Sequence, residues 1–343
     1  MIQVEQLPLW DILKSKKVDD AQRAGIKKLI EHAAAILDRV IETFPTYTLH
    51  NSVHAENVVR LMDQLLGPRR KDLRPLEAAL LMLSAFYHDI GMVFKEEERS
   101  RLSEEPDWKL FLNSKPDAYL GVKKSGITPE IAEWYCRWRH ADRVYVYLNP
   151  LSEARLKWGT TSFREELGEV CRSHNLDTAV LHKLRSDFRG EADLRFCAIL
   201  LRLADILDFD RSRSPEAVYE HLGLSHRTLP RQTASDVEWQ KHLCSEGFQF
   251  PAKRQDGYQL PFVAGPDEPG VEHDVRGFLD IIDGELTQCR AMLGKLLRSL
   301  AWVIPSRIYR ALAYSRKWLQ VWPVSFHARS GADHGPANGG EPL

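Results

Sequence analysis

The chain has 343 residues, 43% of them hydrophobic, which is enough to bury a large core and by length suggests about two domains. Its formal net charge of -1 argues against a strongly basic protein that coats nucleic acid, although a local basic patch is compatible with that balance. Five scattered cysteines without a C-x-x-C spacing suit a reducing compartment and argue against a disulfide framework or a zinc finger. The N-terminus has no apolar core with a small-residue cleavage site, and no segment reaches the length of a membrane span. A soluble, cytoplasmic protein is therefore expected.

In chain order, Gln22 to Phe44 has helical spacing through Ile26, Leu29, Ile30, Ala33, Ile36, Leu37, Val40 and Ile41, and Pro45 ends it. A second helix opens at His50–His54, with two histidines four apart in its first turn, and runs to Gly67. After a basic, turn-rich loop comes the stretch around which the chain is organised, Leu76 to Met92. It is apolar at nearly every position from Ala78 to Tyr87, as a helix buried on most of its surface would be, and it ends in His88-Asp89. Polar groups at the end of a core helix must be paired, hydrogen-bonded or bound to a cation, because unpaired burial costs a few kcal/mol or more. Gly91 is expected to stop this helix.

The charged run from Phe94 to Pro116 reads as a solvated helical excursion. Thr128 and Pro129 form a helix start, and the helix they open carries Trp134, Arg137, Trp138 and His140. Another helix, near Phe163 to Ser173, delivers Arg172 and His174. Ala192 to Phe209 is a second nearly all-apolar helix with Asp205 embedded in it, and such a carboxylate needs a cationic partner or a metal. Pro215 to Leu222 makes one more short helix. From Thr228 the chain is polar, with short strands expected at 248–250 and 257–263, then a long amphipathic helix from Val271 to Leu300. Trp302 to Trp322 is aromatic and basic, and reads as an amphipathic segment packed on the core or on a second subunit. The Gly/Pro-rich end is expected to be disordered.

A histidine on one helix, His-Asp at the end of the next and an aspartate in a late core helix form one ordered set: His54, His88, Asp89 and Asp205. This set resembles the H…HD…D signature of the HD superfamily of metal-dependent phosphohydrolases, and the contexts HNSVHAENVV, AFYHDIGM and LLRLADILDFDR are similar to its motifs. The resemblance covers roughly residues 22 to 225 and looks closest to HD domains that precede ATPase modules. No glycine-rich phosphate loop of that kind occurs in this chain. The resemblance implies an HD-type helical bundle over 22–225, and with the residue pattern on either side the expected fold is mainly α: an N-terminal arm (1–21), that bundle, a small appended α+β segment with C-terminal helices (226–325), and the tail (326–343).

The resemblance also implies a chemistry. His54, His88, Asp89 and Asp205 would hold a divalent ion (manganese, iron, zinc or magnesium), with Asp89 or Asp205 bridging to a second ion if one is present. His140 and His174 lie where two-metal members such as the HD-GYP group supply extra ligands. Otherwise they are polar wall residues touching substrate. His50 matches the histidine that protonates the leaving oxygen in phosphodiesterase-like members; the alternative is an exposed histidine at a helix start.

Arg137 shares a helical face with His140, so the two side chains could converge on one phosphate. Arg143 and Arg172 flank the later histidines and are further substrate-binding candidates, with surface salt bridging as their alternative. Asp208 either orients a ligand histidine or sits exposed at a helix end. The expected activity is hydrolysis of a phosphoester of a nucleotide or cyclic nucleotide by a metal-activated water. A nuclease on single strands and a non-catalytic nucleotide sensor are the alternatives. Nucleic acid is a disfavoured partner, a membrane is not expected, and residues 301–325 are the candidate contact for a second copy or a partner protein.

Overall fold

The computed structural model describes residues 2–16, 18–222, 234–253, 258–296 and 304–312, and the architecture is mainly helical. Helix α1 is Asp20–Leu37, α2 is Ser52–Leu66 and α3 is Pro75–Tyr87. Helix α3 is the hub: every residue from Leu76 to Tyr87 is buried, and α1, α2 and the N-terminal turn Trp10–Ser15 pack on it. Its start is well specified. Pro75 occupies the first turn, where no backbone donor is needed, and the Glu77 carboxylate accepts from the Arg74 backbone N–H at 2.8 Å.

Helices α4 (Pro129–Arg139), α5 (Arg164–Ser173) and α6 (Leu194–Leu207) complete the bundle, α5 and α6 both touching α3. The Thr128 hydroxyl accepts from Ile131 N–H, and the Asp193 carboxylate caps α6 by accepting from Phe196 N–H.

The appended part packs directly on this bundle. Helix α7 (Ala234–Leu243) leads to a three-stranded sheet of order β1-β2-β3, where β1 is Ser245–Phe248, β2 is Gln259–Ala264 and β3 is Arg307–Leu312. Strand β1 runs antiparallel to β2, and β2 runs parallel to β3, with Leu260 opposite Ile308. Helix α8 (Pro269–Leu296) makes the parallel crossover. It buries Val271, Val275, Leu279, Ile282, Leu286, Cys289 and Leu293, a row at spacings of three and four. Phe209, just past α6, stacks on Phe262 of β2 at 5.2 Å and meets Phe278 of α8 edge-on. Among the described residues no helix is long and apolar enough to cross a membrane.

Several expectations need correction. The helix read over Gln22 to Phe44 is two, because the chain breaks at Asp38–Arg39 before a short turn, Val40–Thr43. The central helix ends at Tyr87, before Gly91. Gly91 has another reason to be glycine: a Cβ there would sit 2.0 Å from the His140 carbonyl oxygen, so the two segments meet only because none exists. The charged run is not wholly solvated, since Trp108 and Phe111 in the short helix Trp108–Ser114 are buried. Helix α7 falls where only polar chain was expected. Of Trp302 to Trp322, only 304–312 are described, and they include strand β3, whose Ile308 N–H donates to Asp283 of α8 at 2.7 Å. The tail and most of the segment expected to contact a partner lie outside the described residues.

Candidate metal centre

Helix α2 delivers His54 in its first turn, which the Asn51 side chain fixes by accepting from the backbone N–H groups of Val53 and His54. His88, His140 and His174 all occupy the same kind of place, the residue after the last turn of α3, α4 and α5 respectively. At each of them the ring Nδ1 faces the carbonyl three residues back: Ala85 at 3.0 Å, Arg137 at 2.5 Å and Cys171 at 2.5 Å. A carbonyl can only accept, so these Nδ1 atoms carry a proton, and Nε2 is the ring nitrogen turned toward a prospective metal. His54 Nδ1 donates instead to the Asp208 carboxylate at 2.6 Å. Asp208 is 3% exposed, which decides between its two readings in favour of the orienting partner.

All four Nε2 atoms converge. Those of His54 and His88 lie 3.3 Å apart, and those of His140 and His174 lie 3.0 Å apart. Asp89 stands between the pairs. Its Oδ2 is 3.2 Å from His88 and 3.7 Å from His54, while its Oδ1 is 3.4 Å from His140 and 3.6 Å from His174. Asp205 joins the first pair, with Oδ1 at 3.2 Å from His54 and 3.5 Å from His88. His54, His88, Asp89 and His140 are all buried.

Nitrogen and carboxylate donors buried this close together could share a divalent cation, which would offset the cost of their burial. The spacings suit one. Bonds of about 2.0–2.2 Å at tetrahedral or octahedral angles put neighbouring ligand atoms roughly 2.8–3.6 Å apart. Two ligand groups are thus present, His54-His88-Asp89 with Asp205 beside it and Asp89-His140-His174, joined by Asp89.

The family model HD-CE matches residues 44–288, more than half of the chain and all of this cluster. The chain belongs to the HD-CE family. No curated protein and no solved structure matches it. The HD-CE match runs from Phe44 to Gln288, so it takes in α7, the strands β1 and β2 and most of α8 as well as the helical bundle. An HD-type fold with a buried His/Asp cluster fits a metal-dependent hydrolase.

In this HD-CE protein a polar pocket of about 330 Å³ adjoins the cluster at His174 and Asp205. Tyr47 and Arg137 line it from one side, Ser235, Glu238 and His242 from α7, and Phe278 and Glu285 from α8. The appended segment therefore supplies walls of the pocket. Arg202, the cation embedded in α6, donates to the carbonyls of Ser173 and His174 and to Glu285 of α8 at 2.8 Å, which ties that wall to the second histidine pair.

The remaining candidates divide. Arg137 lines the pocket and lies over the Tyr47 ring at 5.5 Å. Arg143 is not brought to the pocket: its buried guanidinium donates to the carbonyls of Gly91 and Val93 and to Glu98, and lies 3.6 Å over the Phe94 ring. That network braces the segment following His88-Asp89. Arg172 is half-exposed and paired with Asp142.

His50 lies just before the helix rather than in its first turn. Its Nδ1 is 2.6 Å from the Thr48 carbonyl, and its Nε2 accepts from Arg213 at 2.9 Å. Burial, followed by the Arg213 charge, holds its pKa well below the ordinary histidine value. In this arrangement His50 has no proton on Nε2 to give to a leaving oxygen. Arg213 went unnoticed in the sequence. It lies 3.6 Å from Asp208 as well, and its only sequence signal is its place in the arginine-serine run after the last motif.

Proposed function

We propose that this HD-CE protein is a metal-dependent phosphohydrolase acting on a phosphoester of a nucleotide. The observation behind the reading is the pair of inward-facing histidine couples that share the two oxygens of Asp89. His54, His88, Asp89 and Asp205 would hold one divalent ion, and Asp89, His140 and His174 a second. The all-nitrogen and oxygen set suits manganese, iron or zinc. Ions bound there would lower the pKa of a water and offset charge on a phosphoryl oxygen.

The chain's own residues do the rest. The carbonyls of Ala85, Arg137 and Cys171 and the Asp208 carboxylate lock each imidazole in the tautomer that points Nε2 inward. Arg137 offers a guanidinium to a phosphate in the pocket. Arg213 presents a second cation beside His50 and Asp208, placed to receive charge on a departing oxygen. A reducing, cytoplasmic setting suits the five free cysteines.

The test is metal analysis of purified protein, together with hydrolysis of bis(p-nitrophenyl) phosphate and a nucleotide panel in manganese, magnesium, zinc or ferrous iron. Metal-dependent turnover is expected. Tight nucleotide binding with no turnover in any of these metals would replace the enzyme reading with that of a sensor.

A further inference from the structure

The polar pocket at His174 and Asp205 has two chemically unlike walls. Arg137, Arg202 and Arg213, the cations that line it among the described residues, all belong to the helical bundle. The appended segment lines it with groups that accept instead: Ser235, Glu238 and His242 from α7 and Glu285 from α8. Ser235, Glu238 and His242 are spaced by three and four, so they form one face of α7 turned to the pocket. A phosphate suits the first wall, beside the arginines and the candidate metal ligands. Whatever meets the second wall has to donate hydrogen bonds.

Two of these acceptors are open. His242 is buried, and its Nδ1 faces the Asp210 carbonyl at 3.1 Å, so that nitrogen carries a proton. Burial, followed by the Arg213 charge, lowers its pKa to about 3, which keeps the ring neutral and Nε2 an acceptor. Nothing among the described residues pairs with Nε2. Glu238 is held by one oxygen only: Oε1 accepts from Lys241 at 2.8 Å, and Oε2 has no partner among the described residues. Lys241 lies over the Phe278 ring at 4.8 Å, so Phe278 supports Glu238 through that ammonium group and is not a stacking surface for a ligand. Glu285, by contrast, is engaged by Arg202 at 2.8 Å.

At about 330 Å³ the pocket is at the small end of the range for small-molecule sites, suited to one nucleotide and not to a length of strand. The donors nearest the 5′-phosphate of a nucleotide are the ribose hydroxyls. Adjacent 2′ and 3′ hydroxyls match two acceptors one helical turn apart, and a carboxylate is a recurrent partner of ribose hydroxyls in nucleotide sites. We infer that the substrate is a single ribonucleotide whose 2′- and 3′-hydroxyls donate to Glu238 and His242, so that the appended segment selects ribose over deoxyribose. This rests on the phosphohydrolase reading for the place of the phosphate, but binding alone tests it.

The probes are the 5′-methylenephosphonates of adenosine, guanosine, cytidine and uridine, whose carbon–phosphorus bond is not hydrolysed, and their 2′,3′-dideoxy counterparts, each titrated calorimetrically into the manganese-loaded protein. The tightest ribonucleoside probe should bind at least about tenfold more tightly than its dideoxy counterpart. Glu238→Ala should bring that ratio toward one without weakening the dideoxy probe, and Glu238→Gln, which keeps an acceptor oxygen, should retain part of it. Equal affinity of the wild-type protein for the two sugars would overturn the inference, as would no binding of any ribonucleoside probe or an unchanged ratio in folded Glu238→Ala. The wild-type ratio decides even if the variants fail to fold. Failure to hydrolyse any phosphoester would overturn the hydrolase reading and leave this ratio standing; turnover without a preference for ribose would do the reverse.

Discussion

The two halves of the metal cluster are built differently. The His54, His88 and Asp205 half comes from α2, α3 and α6, the apolar helices at the centre of the bundle, and one of its imidazoles leans on a buried carboxylate, Asp208. The His140 and His174 half sits at the ends of α4 and α5, and both of its imidazoles lean on backbone carbonyls. A carboxylate behind an imidazole makes it a better electron donor than a carbonyl does. The first half should therefore hold its ion firmly. The second should exchange it.

The largest effect should come from the one residue both halves share. Asp89→Ala is expected to take metal content from about two ions per chain to near zero and turnover down by at least about a thousandfold, with helical content preserved. Metal analysis and circular dichroism on the same sample would check it, and a variant that kept its ions would break the two-halves description outright.

Next, His140→Ala and His174→Ala should each leave about one ion, because only the second half is damaged. Full occupancy with a raised KM would turn these histidines into substrate contacts. A smaller effect is expected of Asp208→Asn, which keeps the shape but weakens the partner of His54. First-half affinity should fall by about 10–100-fold while the second half is unchanged, as read by competition with a chromogenic chelator. Equal weakening of both halves would mean that Asp208 acts through overall stability. Smallest is Gly91→Ala. Its new methyl would strike the His140 carbonyl at 2.0 Å, so about 1–3 kcal/mol of stability should be lost in thermal unfolding, with the second half weakened more than the first.

The same contrast explains what the sequence made legible. His88-Asp89 and Asp205 stand out because they interrupt apolar helices, where a polar residue has to have a partner. His140 and His174 stand in polar surroundings, and composition alone left them as ligands or wall. Helix α7 escaped notice because its inward face includes Asp236, Lys241 and His242, so no apolar stripe marks it despite the fully buried Trp239. The secondary structure of strand β3 is not legible for an arithmetic reason: Ile304, Ile308 and Leu312 are spaced by four, which fits both the period of two and, closely, that of 3.6. Gly91 was read as a helix stop because local rules cannot see a carbonyl arriving from 49 residues further along the chain.

Strand β3 also has a bearing on the order in which the molecule is made. It pairs with β2 in parallel only after the whole of α8 has been laid down, and β2–β3 is the last pairing among the described elements. Every candidate ligand side chain leaves the ribosome earlier, Asp205 about a hundred residues ahead of β3. A growing chain that binds the proposed ions would thus gather their ligands while α8, and with it one wall of the pocket, still lacks its anchor. Ion uptake during refolding should precede amide protection of α8, and simultaneous appearance of the two would mean that the centre and its enclosure form as one unit.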